Sequence, residues 1–135
     1  MSTELEDLEK LFSELSVEKR TLYHLYDSGP KAPYQLEKEL HIPESTVHRI
    51  VKNLNRNGAL IGEKTRLTHS PKRGYWNLKA FGKVLDTYHG GKMPIAYVLS
   101  EPYKEIVGHM KEIDRLVRET RERAACVAGS IIPAA

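Results

Sequence analysis

Cysteine is nearly missing from this sequence. Cys126 stands alone, which excludes an internal disulfide framework and a multi-cysteine zinc site and fits a reducing compartment. No apolar run approaches the roughly 20 residues of a membrane span. The opening Met-Ser-Thr-Glu-Leu-Glu-Asp is acidic where a signal peptide is basic and then apolar. The expectation is a cytoplasmic protein with no membrane partner. Six histidines, His24, His41, His48, His69, His89 and His109, have no metal-ligand spacing, so no metal is expected. No nucleophile, base and orienting residue assemble by spacing, and no Gly-rich loop offers to cradle a phosphate. The chain therefore reads as neither an enzyme nor a cofactor protein.

What is present is a localised positive charge. The formal net charge is only +3, and residues 1–15 are acidic. Between residues 42 and 79, however, Arg49, Lys52, Arg56, Lys64, Arg66, Lys72, Arg73 and Lys79 stand against Glu44 and Glu63 alone. A basic excess gathered in one segment is the footprint of a polyanion-binding face. At 135 residues the chain is one ordinary domain, or a small domain with an extension.

Within that segment, Val47, Ile50, Val51 and Leu54 recur at three- and four-residue steps and form one stripe of a helix over residues 43–57. The other face carries Ser45, Thr46, His48, Arg49, Lys52, Asn53 and Arg56, side chains able to donate to phosphate oxygens or base edges. Pro43 suits the first turn and Gly58 the cap after the last turn. This is the pattern of a recognition helix.

The flanking pattern agrees. Leu5, Leu8, Leu11, Phe12 and Leu15 make residues 1–15 an amphipathic helix. Ser16 caps a second helix over residues 17–27, with Leu22, Leu25 and Tyr26 inward. Ser28-Gly29-Pro30 ends it. Pro33 to Leu40 forms a short helix, and His41-Ile42-Pro43 leaves room only for a tight turn, with Ile42 between the two helices. After Gly58 the pattern becomes strand-like from Ala59 to Leu67 and again from Tyr75 to Leu78, a two-stranded ribbon with a basic tip. Trp76 is expected as a core anchor, with Tyr75 on the opposite side. Helix is expected again from Lys79 to Tyr88, and residues 89–94 read as a linker. Residues 95–99 are either a helical turn or a buried extension. A long helix then runs from Ser100 and Pro102 to about Arg123, where Tyr103, Ile106, Met110, Ile113, Val117 and Thr120 repeat as a coiled-coil seam. Such a rod has too little neighbouring domain to cover it, so a second copy of the chain is the expected partner. Residues 124–135 are expected to fray.

Gln35-Leu36-Glu37-Lys38-Glu39-Leu40-His41-Ile42-Pro43, followed by Ser45 to Leu54 and Gly58, resembles the winged helix-turn-helix transcriptional regulators of bacteria and archaea, in the MarR, ArsR and TrmB neighbourhood. Residues 77–86 look like the helix that follows the wing in MarR-like proteins. The resemblance implies a mainly α fold with a small β-hairpin wing, in which residues 16–88 bind DNA. It implies that Ser45, Thr46, His48, Arg49 and Asn53 face the major groove and that Lys31, Tyr34 and Gln35 touch phosphates. Arg66, Lys72 and Arg73 would take the wing to the backbone or minor groove. The N- and C-terminal helices, with Leu5, Leu8 and Phe12 in the first, flank the domain as dimerisation helices do in MarR-like and archaeal Lrs14-like regulators. ArsR-type metal sensing is not carried over, because its cysteine clusters are missing.

The expectation is a homodimeric, sequence-specific double-stranded-DNA-binding transcriptional regulator of a prokaryote, nucleoid-associated, with Lys52, Arg56, Lys64, Arg66, Lys72 and Arg73 on phosphates. Competing readings are a winged helix adaptor that binds a protein of the transcription or replication machinery, and a non-specific architectural DNA binder. A small-molecule effector, read in a crevice near Tyr97, Tyr103 and Met110, finds no polar constellation in the sequence to hold it.

Overall fold

A computed structural model of the chain describes residues 17–70 and 74–131. The expected helix with Leu5, Leu8 and Phe12, the Ser16 cap, and Lys72 and Arg73 of the wing tip lie outside the described residues. Three helices come first: α1 over residues 17–28, α2 (Pro33–Leu40) and α3 (Glu44–Arg56). Pro33 fills the first helical position of α2, where its missing N–H leaves nothing unsatisfied. That helix closes on His41 in the left-handed conformation, φ 55°, and Ile42 is buried at the turn. In α3 the stripe Val47, Ile50, Val51 and Leu54 is buried as its spacing requires. Each such aliphatic side chain contributes roughly 1.5–3 kcal/mol by leaving water.

The end of α3 is fixed by hydrogen bonds as well as by packing. Gly58 adopts φ 80°, its N–H donates to Asn55 O at 3.2 Å, and the Ala59 N–H donates to Leu54 O at 2.9 Å. This doubly bonded stop satisfies the carbonyls that the last turn would otherwise strand. It also turns the chain into β1 (Leu60–Lys64), which continues through Thr65 into β2 (Arg66–Ser70).

The strands depart from the expected two-stranded ribbon. β1 pairs antiparallel not with β2 or its neighbour but with β5 (Ile95–Leu99), Leu60 opposite Leu99 and Lys64 opposite Ile95. The wing proper has three strands in the order β2, β3 (Tyr75–Ala80), β4 (Lys83–Thr87). The partner changes at Thr65, which is buried. Its N–H and its hydroxyl both donate to Pro94 O, at 3.0 and 2.6 Å. The helix expected over residues 79–88 is therefore a correction. Phe81 and Gly82 take φ 54° and 72°, a pair that closes a two-residue hairpin and cannot lie inside a helix. The three- and four-residue spacing of Phe81, Val84 and Leu85 is compatible with both states. The undecided segment 95–99 is a strand because β1 offers it a complete ladder.

The long helix α4 (Glu101–Ile131) opens on Ser100, whose hydroxyl donates to Gly58 O at 2.8 Å, and it outlasts its expected end near Arg123. Val107 in its second turn is fully buried in the same cluster as Leu25, Leu36, Ile50 and Leu99, with Tyr103 packed against it. The first turns of α4 thus belong to the winged-helix core. Ion pairs hold α4 to α1: Lys19 to Asp114 at 2.7 Å and Lys111 to Asp27 at 2.6 Å. Tyr26, expected to point inward, is exposed along this seam. The Lys111 ammonium lies 5.5 Å from its ring centre, and Gly108 leaves room for its hydroxyl, which a Cβ there would meet at 3.1 Å.

Candidate nucleic-acid interface

The polar face of α3 is open. Ser45, His48, Arg49, Lys52, Asn53 and Arg56 are exposed, and Thr46 is half-buried. Because the opposite stripe is buried on α2 and the β1–β5 pair, the helix cannot rotate to hide these side chains. His48 Nε2 lies 3.6 Å from Glu44 Oε1 one turn earlier, an exposed pairing that holds the ring only weakly.

The strands that follow α3 add cations of their own. Lys64 and Arg66 are exposed, and the β2–β3 register sets Arg66 directly opposite Lys79. Like charges at opposed positions of a ladder repel, at a cost of roughly 0.2–1 kcal/mol, unless an anion lies between them. Sequence reasoning misses Lys79 as a site residue because the spacing that begins there suggests a helix. The signal that finds it is the period-2 alternation of Trp76, Leu78 and Ala80 against Tyr75, Asn77 and Lys79. Trp76, expected in the core, is half exposed instead. Leu78 and Ala80 on the same face are buried, whereas Trp76, nearer the tip, meets the edge of His69, with ring centres 5.0 Å apart.

Three residues expected on phosphates are occupied elsewhere. Gln35 is buried and uses both ends of its amide: Oε1 accepts the Ala32 N–H at 3.0 Å and Nε2 donates to Leu85 O at 2.9 Å. Both ends of the amide are thus engaged within the fold, because the third strand of the wing, absent from the expected fold, lies against the start of α2. The Tyr34 hydroxyl donates to Asp86 Oδ2 at 2.8 Å, and burial, then this hydrogen bond and the charge of Asp86, raise its pKa. The Lys31 ammonium sits 3.0 Å from Glu39 Oε1, while His24 Nε2 lies 2.8 Å from the same oxygen. Burial alone would raise the Glu39 pKa, but the hydrogen bonds from His24 and Lys31 outweigh it and hold the carboxyl below its ordinary range. Behind α3, Tyr23 donates to Asp114 at 2.5 Å, and burial together with that bond pushes its pKa up to about 12.

Of the expected seam on α4, Tyr103 packs on the core of its own chain and Met110 is half-buried, whereas Ile106, Ile113, Val117 and Thr120 are exposed or nearly so. Leu116 and Val127 extend the exposed apolar surface. Among the described residues no group of three or more His, Cys, Asp or Glu side chains could hold a metal ion, and no helix is long and apolar enough to cross a membrane.

By sequence, no family model and no curated protein matches the chain. By structure it is similar to a mutant of ZitR from Lactococcus lactis in apo form. The TM-score is 0.52 at 10% identity, over 92% of this chain and 76% of that one. It is also similar to BpsR of Bordetella bronchiseptica, whose DNA binding is regulated by 6-hydroxynicotinic acid, with TM-score 0.50 at 16% identity, over 83% and 73%. The fold is a winged helix-turn-helix, shared with those two structures. At these identities the likeness is one of fold.

Proposed function

We propose that the protein is a DNA-binding transcriptional regulator that works as a homodimer in the cytoplasm. The observation that carries this reading is the polar face of α3, held outward by a buried apolar stripe and flanked by the cations of the wing. In a major groove, Arg49 would make the base contact, most naturally bidentate to guanine and worth roughly 1–3 kcal/mol of discrimination. Lys52, Arg56, Lys64, Arg66, Lys72 and Arg73 would supply phosphate contacts that read no sequence. BpsR, with the same fold, has a regulated DNA-binding activity. The exposed Ile106, Ile113 and Val117 on α4 support a second copy as partner, whose distance would set the two α3 helices about 34 Å apart for successive grooves.

The test is binding of the purified protein to genomic and random duplex DNA over a salt series, with its mass in solution recorded alongside. The expected result is a dimer with a steep logarithmic salt slope that selects a twofold symmetric site. Arg49→Ala should lose that selection while keeping its affinity for random DNA. Equal losses on both DNAs would remove Arg49 from the readout, and absence of duplex binding at low salt would overturn the function.

A further inference from the structure

A winged helix reads DNA with two arms, and their relative angle must be held by something. Here the wing's third strand is fastened to the helix-turn-helix at two adjacent points. Gln35 Nε2 donates to Leu85 O at 2.9 Å and the Tyr34 hydroxyl donates to Asp86 Oδ2 at 2.8 Å. The same Gln35 holds the start of α2 through the Ala32 N–H. α2 in turn packs on α3 through Leu36 and Ile42, both buried in the common cluster with Val47 and Ile50. Elsewhere the wing joins the core by two chain passages, at Thr65 and through residues 88–94 into β5, which meet where Thr65 donates to Pro94 O, and by the Phe81 N–H, which donates to Glu63 Oε2 of β1. The α2 fastening limits how far the β2–β3–β4 sheet can turn about the Thr65–Pro94 contact, where both passages meet.

We propose that Tyr34 and Gln35 are positioning residues, forming a clamp that sets the angle of the wing against the recognition helix. This rests on the DNA-binding reading for its consequence but not for its geometry. The clamp acts on phosphate affinity without touching phosphate. Gln35 is buried, and both ends of its amide are bonded within the protein. It also blunts the outer edge of the wing sheet, because the Leu85 carbonyl that a further strand would seek is already paired.

The clamp can be opened without removing side-chain volume. In Gln35→Glu the acceptor for the Ala32 N–H is kept, while a carboxylate oxygen faces the Leu85 carbonyl. Tyr34→Phe removes only the hydroxyl. Asp86→Asn keeps an acceptor for Tyr34 and serves as the conservative control. Trp76, the only tryptophan, lies on the wing and reports its motion. In the double variant Tyr34→Phe/Gln35→Glu, well below its melting temperature, the time-resolved anisotropy of Trp76 should gain a fast component that the control lacks. The logarithmic salt slope of the double variant for duplex DNA should flatten by about one for each phosphate the wing no longer reaches. Unchanged Trp76 anisotropy would overturn the clamp. A mobile wing with the salt slope and affinity unchanged would overturn its role in binding. If the unmodified protein binds no duplex while the variant frees Trp76, the clamp stands and the DNA reading falls.

Discussion

Lys79 is the residue at which stability and binding pull apart. Opposed to Arg66 across the β2–β3 ladder, it weakens the folded wing by charge repulsion and would be compensated only by an anion. Lys79→Gln should therefore leave the thermal midpoint unchanged or raise it slightly. The salt slope for duplex DNA should meanwhile fall by about one. A drop in the melting midpoint with the slope unchanged would show that Lys79 serves the fold alone. Glu39 illustrates the opposite case, a carboxylate that serves only the fold. Its pKa is lowered in the folded protein by His24 and Lys31, so the unfolded chain binds its proton more readily. The stability it supplies is complete above the ordinary carboxylate value of 4.5 and is lost as pH falls through the lower folded value. Urea midpoints followed from neutral pH down through the carboxylate range should decline more steeply in the wild type than in Glu39→Gln. Parallel declines would remove Glu39 from the acid sensitivity.

At the scale of elements, the stop of α3 is the simplest to test. Gly58 sits at φ 80° with nothing within 4 Å of the place a Cβ would occupy. A side chain there meets no atom and loses only conformational ease. Gly58→Ala should cost about 1 kcal/mol, read from denaturant unfolding, and Gly58→Asn less. A much larger loss would mean that a contact is made there after all. The same helix shows how much is legible from sequence. Its buried stripe, its exposed donors and its glycine stop all follow from local spacing, and all three are found. What cannot be read is pairing at a distance. Neither the ladder of β1 with β5, thirty-odd residues apart in sequence, nor the burial of Gln35 against Leu85 leaves a local trace. Phe81 gives no turn signal, since a bulky residue is rarely found at positive φ. The engagement of Gln35 within the fold is hidden for the same reason: the strand that accepts from its amide has the apolar spacing of a helix.

For the molecule as a whole, the question is what covers α4. Its 31 residues make a rod of about 46 Å at about 1.5 Å per residue. Its first turns are buried by Val107 and in part Tyr103, whereas Ile113, Leu116, Val117 and Val127 further along are exposed. The ion pairs and stacked ammonium that join α4 to α1 fix the direction in which the rest projects. A second copy docked on Ile106, Ile113 and Val117 would then receive its spacing from α4 and its orientation from α1. Ile113→Glu with Val117→Glu should halve the mass in solution and abolish selection of a twofold site, while circular dichroism of the wing and core stays unchanged. A dimer that persists would move the interface to another surface.

The partner change at Thr65 has a further bearing, on how such a protein can vary. Everything before it, from Leu60 opposite Leu99 to Lys64 opposite Ile95, has its register fixed by the core. Everything after it has a register fixed by the wing's own hairpins, by the two bonds from α2 and by the Phe81 N–H bond to Glu63. Residues can be inserted or deleted toward the tip, in matched pairs, without moving one buried side chain of the core. A lengthened or recharged wing would leave the setting of α3 unaltered, so in the proposed function the reach of the molecule along DNA would be separable by descent from the letters it reads.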